Sequence, residues 1–462
     1  MRIDEKDLRE LVGSFEYFIK EKQDARLQHL LVSMHPSDIA AIINRIRKDE
    51  HRLYLFNLLD KEVASDTILK IDEAVREDLV ELLEQEIITE LVDEMDSDDA
   101  TDFISELPEE MVEDVLKNVE QADAKEVIQL MHYPEDTAGG IMALEIVAVN
   151  KNATVDEAIR EIRRKAEKVE EIYNVFVVDD ETKLVGHVSV KELILVHGHT
   201  PITEIMETDI ASVPVSMDQE EVANYARKYD LISVPVVDEE YRLLGRITID
   251  DIIDVMEEEA SEDLQRMAGI TDEEELREPS ALRIVRGRIL WLVFGLLGGL
   301  WGAEVIKLFE HQIAKVAMLA IFIPVILSMG GSIGMQSSAI VVRGLATGEI
   351  DFKDIYKRLY KEIKVSLING LALGFLIFIY AFVRAGTDDL GSTIQPLELS
   401  AVVGGSLIMV ILVASIVGTT IPLLLKKINI DPALATGPFI TTSNDIIALF
   451  IYFAMATSFL NI

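Results

Sequence analysis

The pattern of apolar and polar positions changes twice along the chain. Up to about residue 130, short apolar stretches of helical spacing alternate with polar starts: Pro36-Ser37-Asp38, Asp66-Thr67, Asp96-Ser97-Asp98-Asp99 and Leu107-Pro108-Glu109. Side-chain oxygens at such positions cap free N–H groups, and the fixed φ of Pro suits a first helical turn. This predicts an all-α superhelical domain over 1–132. From 141 to 258 the pattern becomes strand, helix, strand, turn, strand, helix, and it occurs twice. Val177-Val178-Asp179 returns as Val236-Val237-Asp238, 59 residues later. Gly186, Ser189 and Glu192 return as Gly245, Thr248 and Asp251, also at 59, while Ile141-Met142 returns as Ile205-Met206, at 64. Two α+β units are expected, over 133–200 and 201–256, with helices over 155–168 and 220–229.

Beyond residue 282 the polar positions thin out. Five apolar runs are long enough to cross a bilayer, which takes about 20 residues: Ile289–Ile306, Ile313–Val342, Val365–Val383, Leu399–Leu425 and Gly437–Leu460. A five-helix transmembrane domain is expected over 283–462. An odd number of spans puts the two termini on opposite sides. Basic residues set the orientation. Arg283, Arg286, Arg288, Arg343, Lys353, Lys357, Arg358, Lys361, Lys364, Lys426 and Lys427 fall on one side, and only Lys307, Lys315 and Arg384 on the other. The long N-terminal part is therefore expected in the cytoplasm and the C-terminus outside, in a multi-pass cell-membrane protein.

Composition sharpens this division. The 462 residues hold 43 basic and 82 acidic side chains, a net of −39, yet the mean hydropathy is +0.24. Residues 281–462 carry 14 basic and 11 acidic side chains, so residues 1–280 hold 29 against 71, a net of −42. Such a surface repels nucleic acid, which selects basic patches, and favours cations as partners. There is no Cys, hence no disulfide and no thiolate metal site. The start MRIDEKDLRE has no apolar stretch, so no secretory signal is expected. The eight His never fall at zinc-ligand spacing, and no nucleophile elbow, Walker or kinase motif occurs. An enzyme is not expected.

Three places carry candidate chemistry. Gly330-Gly331-Ser332-Ile333-Gly334-Met335-Gln336 follows Pro324 in the second run, where Gly and Pro mark a cavity lining or close helix contact. Asp445 lies within the fifth run without a deep Lys or Arg to pair with. An intramembrane carboxylate faces a bundle interior or a water path. Asp431-Pro432 reads as an N-cap with Pro at the first position of the fifth helix. Between the repeat and the first run, over 257–282, lies an acidic connecting segment. Asp251, Asp254, Glu258 and Glu262 share one helix face, and like charges at that spacing oppose the helix by about 0.2–0.5 kcal/mol per pair. The face is either solvated or relieved by hard divalent cations.

The order of these parts resembles the MgtE family of magnesium channels over nearly the whole chain. The duplicated unit resembles a tandem CBS pair. Tyr133-Pro134-Glu135-Asp136-Thr137-Ala138-Gly139-Gly140 resembles the family's junction between its N-terminal and CBS domains, Pro324 to Gln336 its pore motif, and Asp431-Pro432-Ala433-Leu434 through Asp445 its last span. The resemblance implies a homodimer in the bilayer with a pore at its axis. Asp445 would be the pore carboxylate, and Gly330, Gly331, Ser332, Gly334, Gln336, Pro438 and Thr441 would line the path with it. It implies regulatory Mg2+ at Asp98 and Asp102, at Asp218, Glu220 and Asp230, and at Asp251, Asp254, Glu259 and Glu262, with Asp431 sharing an ion with the connecting helix. It also implies an adenine nucleotide such as ATP near Gly245, Thr248 and Asp251, where a plain turn and helix start fit equally well.

Three positions depart from the family's pattern. The pore motif usually reads G-G-N-x-G-N-Q, and here Ser332 and Met335 replace two amides. Gly437 stands before Pro438, where the family often has Asn. The expected function is a Mg2+ channel closed by cytoplasmic Mg2+. The competing readings are a transporter or exchanger for another divalent cation, such as Co2+ or Mn2+, and a membrane-bound cation or nucleotide sensor that transports nothing.

Overall fold

The computed structural model describes residues 5–166, 168–169, 171–270, 281–350, 355–387, 394–435 and 437–460. The part of the expected connecting segment at 271–280, and Lys353 of the basic loop, lie outside the described residues. The chain divides into two compact units, Met1–Met256 and Glu257–Ile462.

The first unit opens with ten short helices, from α1 (Glu5–Lys20) to α10 (Gln121–Leu130). Each buries one apolar stripe. In α3 (Pro36–Arg45) Ile39, Ala40, Ile42 and Ile43 are buried, at the 3- and 4-residue steps of a helix face. These stripes form one core that runs from Phe15 through Leu55, Phe56 and Ile88 to Phe103 and Ile104. The repeat follows as two three-stranded sheets. The first joins β1 (Ala148–Asn150), β2 (Asn174–Val178) and β3 (Leu184–Ser189); the second joins β4 (Val213–Pro214), β5 (Ser233–Val237) and β6 (Leu243–Thr248). In each, the outer pair is parallel on one side and antiparallel on the other. The register shifts at Val177/Val178 and again at Val236/Val237, so even the irregularity repeats at 59 residues. The two halves exchange matching hydrogen bonds: Leu184 N–H donates to Tyr241 O at 3.0 Å, and Leu243 N–H donates to Thr182 O at 3.1 Å.

One detail departs from the expected units. The stretch after Tyr133 attaches to the second sheet, not the first. Ala138 N–H donates to Met217 O and Gly139 N–H to Val215 O, at 2.7 and 2.9 Å. Helix α11 (Val155–Lys165) follows β1, α12 (Val190–Leu195) follows β3, and α13 (Gln219–Tyr229) joins β4 to β5. Helix α14 (Ile249–Ala268) leaves β6, and its last turns belong to the second unit.

Among the described residues of the second unit, five helices are long and apolar enough to cross a membrane. They are α15 (Ala281–Leu308), α17 (Met318–Ala346), α18 (Ile355–Thr387), α19 (Pro396–Lys427) and α20 (Pro438–Leu460), with the short α16 (Glu310–Lys315) between the first two. Helix α19 is central and packs against α17, α18 and α20, while α15 leans on α20. Helix α17 runs unbroken through its glycines despite Pro324. The glycines serve close packing instead. A Cβ on Gly418 would strike the carbonyl of Gly334, so α17 and α19 cross backbone to backbone there.

Candidate functional site

The membrane unit places Asp445 on α20 at intermediate burial. Opposite it stands Gly331 of α17, whose Cβ position lies 3.0 Å from Thr441 Cγ2 and 3.7 Å from Asp445 Oδ1. Glycine is what lets α17 approach Thr441 and Asp445 this closely. Thr441 donates its hydroxyl to Gly437 O at 2.9 Å. Among the described residues none pairs with Asp445 or donates to it. The outward face of α17 carries Ser332, Met335 and Gln336, all exposed on this bundle. Gly330 and Gly334, expected to line the path, are turned inward: Gly330 packs against Val410 and Ala448, and Gly334 against Asn444 and Ile440. Their lack of a side chain makes room for neighbouring helices, not for an ion. Asn444 itself is 1% exposed, and neither its Oδ1 nor its Nδ2 has a partner among the described residues.

At the start of α20, Gly437 has φ +57°, and a Cβ there would meet Met267 O of α14. The left-handed backbone and the close carbonyl together call for Gly at this position. Asp431 does not open α20 as expected. It caps a separate 3-10 turn, Pro432–Ala435, accepting from Ala433 N–H at 2.8 Å. Its other oxygen accepts from Arg266 Nη1 at 2.5 Å, and Arg266 also pairs with Glu262. A guanidinium thus bridges Asp431 and the connecting helix, a contact which the sequence reading missed. Burial, then Asp431 and Glu259, push Asp263 up to about 6.

In the first unit, Asp98, Asp99 and Asp251 come together. Asp98 lies in the first turn of α8 (Ser97–Ser105), 8% exposed, and accepts from Asp99 N–H at 2.9 Å. Burial raises Asp98 well above the usual carboxylate range, and Asp251, Asp99 and Asp96 raise it further. Burial, then Asp251, Asp96 and Asp102, push Asp99 up to about 7, against a small opposing effect of Lys70. Ser97 ties this helix start to the junction: its N–H and hydroxyl both donate to Glu145, at 3.1 and 2.8 Å.

Asp251 also accepts from Thr248 N–H at 3.0 Å and Thr248 Oγ1 at 2.5 Å, which caps α14. The expected nucleotide contacts therefore bond one another here. Gly245 is explained locally, since its Cβ would lie 2.5 Å from Ala143 O. Asp218, Glu220 and Asp230 do not form one site. Asp218 caps the start of α13 and Asp230 ends it in a left-handed conformation. Twelve helical steps put roughly 18 Å between them. Among the described residues, no three acidic or imidazole groups converge at direct metal-ligand geometry. Mg2+, which keeps several waters, asks for only one or two carboxylates.

A second membrane carboxylate also escaped the sequence reading. Glu362 of α18 is 8% exposed. It precedes the apolar run that begins at Val365, so a search for membrane acids within the runs passes over it.

Comparisons with known proteins agree with this division. Residues 34–136 match the family model of the MgtE intracellular N domain, residues 138–197 and 202–258 match CBS domains, and residues 323–455 match MgtE, described as a divalent cation transporter. The magnesium transporter MgtE of Thermus thermophilus is 36% identical over 451 residues, covering 96% of this chain and 98% of that protein. The magnesium transporter MgtE of Enterococcus faecalis is 37% identical over 338 residues, 73% of this chain and 72% of that one. Among solved structures, the cytosolic domain of the Mg2+ channel MgtE in complex with ATP aligns with a TM-score of 0.51 at 33% identity, covering 53% of this chain and 99% of that one.

Proposed function

The chain belongs to the MgtE family of divalent cation transporters, a transport family and not an enzyme family, and we propose that it is a Mg2+ channel formed by two copies and closed by Mg2+ on its acidic part. Asp445 carries this reading. It is a carboxylate at membrane depth, half open at the surface of one bundle and facing Gly331 of α17, the helix whose outward side carries the exposed Ser332 and Gln336. Groups of that kind cannot face lipid. A second copy set against this face would close a polar path, with one Asp445 from each. Mg2+ dehydrates reluctantly, so carboxylates and hydroxyls that hold its waters suit it better than a dry cage.

The gating part rests on the acidic clusters. Asp98, Asp99, Asp102, Asp251 and Asp254 supply hard oxygen donors in one unit, and Glu259, Glu262, Asp263 and Asp431 in the other. Oxygen-only sets fit Mg2+. Bound ions would favour the arrangement that brings the carboxylates together, and a ligand shifts an equilibrium by its differential affinity. The excess of basic residues beside the helices on one side supports a cytoplasmic N-terminal half. ATP at the CBS pair is supported by the relative crystallised with it; Thr248 and Asp251 would have to release each other to bind it.

The test is cation flux into proteoliposomes, comparing Mg2+, Ca2+, Mn2+ and Co2+. The chain should carry Mg2+ preferentially. Asp445→Asn should abolish that flux and leave a folded protein. An Asp445→Asn variant that conducts Mg2+ like the parent would remove the pore assignment.

A further inference from the structure

Glu362 plays no part in the path or in the acidic clusters, yet it is a buried carboxylate that touches three helices. One of its oxygens, Oε1, accepts from Ser337 Oγ of α17 at 2.7 Å and from Ser415 Oγ of α19 at 3.3 Å. The two hydroxyls lie 3.3 Å from each other. Its other oxygen faces Arg358 Nη2 at 3.5 Å, one turn back on α18. Ser337 and Ser415 are 2% and 0% exposed. Apolar helices in lipid gain little by burying apolar surface against one another, so hydrogen bonds and close packing set their register. This carboxylate links α17 and α19 to its own helix, α18, by side-chain hydrogen bonds, in addition to their close packing.

Ser337 follows Gln336 directly. The anchored side of α17 faces inward, and Ser332 and Gln336 lie on its outward side. Side-chain atoms sit about 5–6 Å from a helix axis. Turning α17 by about 10° would therefore shift the Ser332 hydroxyl and Gln336 amide by roughly 1 Å relative to Asp445. Mg2+ with its waters tolerates less geometric freedom than larger divalent ions do.

We propose that Glu362 is a positioning residue for ion selectivity: through Ser337 it fixes the rotation of α17, and so the aim of Ser332 and Gln336 toward the path. This rests on the transport reading above. It differs from a coupling role for Glu362, because it needs a hydrogen-bond acceptor and not a charge.

The experiment measures the ratio of Mg2+ to Mn2+ flux in proteoliposomes for the parent, Glu362→Ala, Glu362→Gln, Ser337→Ala and Ser415→Ala. A second readout uses the absence of Cys in the chain: Ser332→Cys is introduced, and its rate of modification by a membrane-impermeant thiol reagent is followed with and without Glu362→Ala. Glu362→Ala and Ser337→Ala should lower the ratio about tenfold while Mn2+ flux persists. Glu362→Ala should also change the modification rate of Ser332→Cys. Glu362→Gln should stay within about twofold of the parent, because its amide oxygen still accepts both hydroxyls. An unchanged ratio in Glu362→Ala overturns the inference. So does a Glu362→Gln that behaves like Glu362→Ala, since the charge would then be the active feature. If Glu362→Ala does not fold, Ser337→Ala decides in the same way. A parent chain that carries no divalent cation overturns the transport reading, and this inference with it.

Discussion

Burial and like charge act on Asp99 in the same direction and push it up to about 7 from 3.8. The folded chain thus holds this proton to higher pH than the unfolded chain does. Its contribution to stability is full below pH 3.8 and is lost as pH rises through about 7. Asp98, more deeply buried beside Asp251, shifts the same way. Above that window the cluster is ionised and repels itself beyond what Lys70 offsets, and a bound cation would relieve it. Mg2+ should therefore raise the melting temperature of the purified chain more at pH 8 than at pH 5.5. An increment equal at the two pH values, or larger in acid, would show that Mg2+ does not act through these carboxylates. The family resemblance pointed to Asp98 and Asp102. It could not show Asp99, or that Asp251 from another domain completes the cluster, because burial and long-range contact leave no local signal.

At the scale of helices, the five spans were readable because bilayer thickness fixes their length and hydropathy. Their ends were not. The third apolar run begins at Val365, whereas α18 begins at Ile355, and Glu362 sits in the difference. The acidic face of α14 was readable from its 3- and 4-residue steps, but the Arg266 bridge from Glu262 to Asp431 was not, since it joins residues far apart in the chain. That bridge has a consequence. A partly exposed ion pair contributes about 1 kcal/mol at most, or roughly a fivefold shift in an equilibrium. If it helps hold α14 against the turn before α20, Arg266→Ala should raise channel activity up to about fivefold at nominally zero Mg2+. Combined Glu259→Gln and Glu262→Gln should instead leave conduction intact and keep the channel open at high cytoplasmic Mg2+. Patch recordings with Mg2+ on the cytoplasmic face check both. Closure at the parent's Mg2+ concentration in the Glu259→Gln, Glu262→Gln variant would reduce the acidic face to a solvated surface.

Over the whole molecule, charge is segregated. Residues 1–280 carry 29 basic and 71 acidic side chains, a net of −42, while the membrane-spanning part is close to neutral. A pair of like charges about 4 Å apart costs about 4 kcal/mol at an effective dielectric of 20. Several uncompensated pairs therefore outweigh the few kcal/mol by which domains of this size hold their contacts. Screening by salt lowers this repulsion for exposed groups and does less for buried ones such as Asp98. A divalent ion seated between carboxylates does something screening cannot, because it supplies two positive charges at contact distance. Mg2+ should then protect the acidic half from proteolysis more strongly than Na+ at equal ionic strength. The difference should shrink when Asp98→Asn and Asp251→Asn are combined. Limited proteolysis of the full chain in detergent, followed over time in the two salts, gives the comparison. Equal protection by Mg2+ and Na+ would mean that the acidic half responds to ionic strength alone, and closure by bound Mg2+ would lose its physical basis.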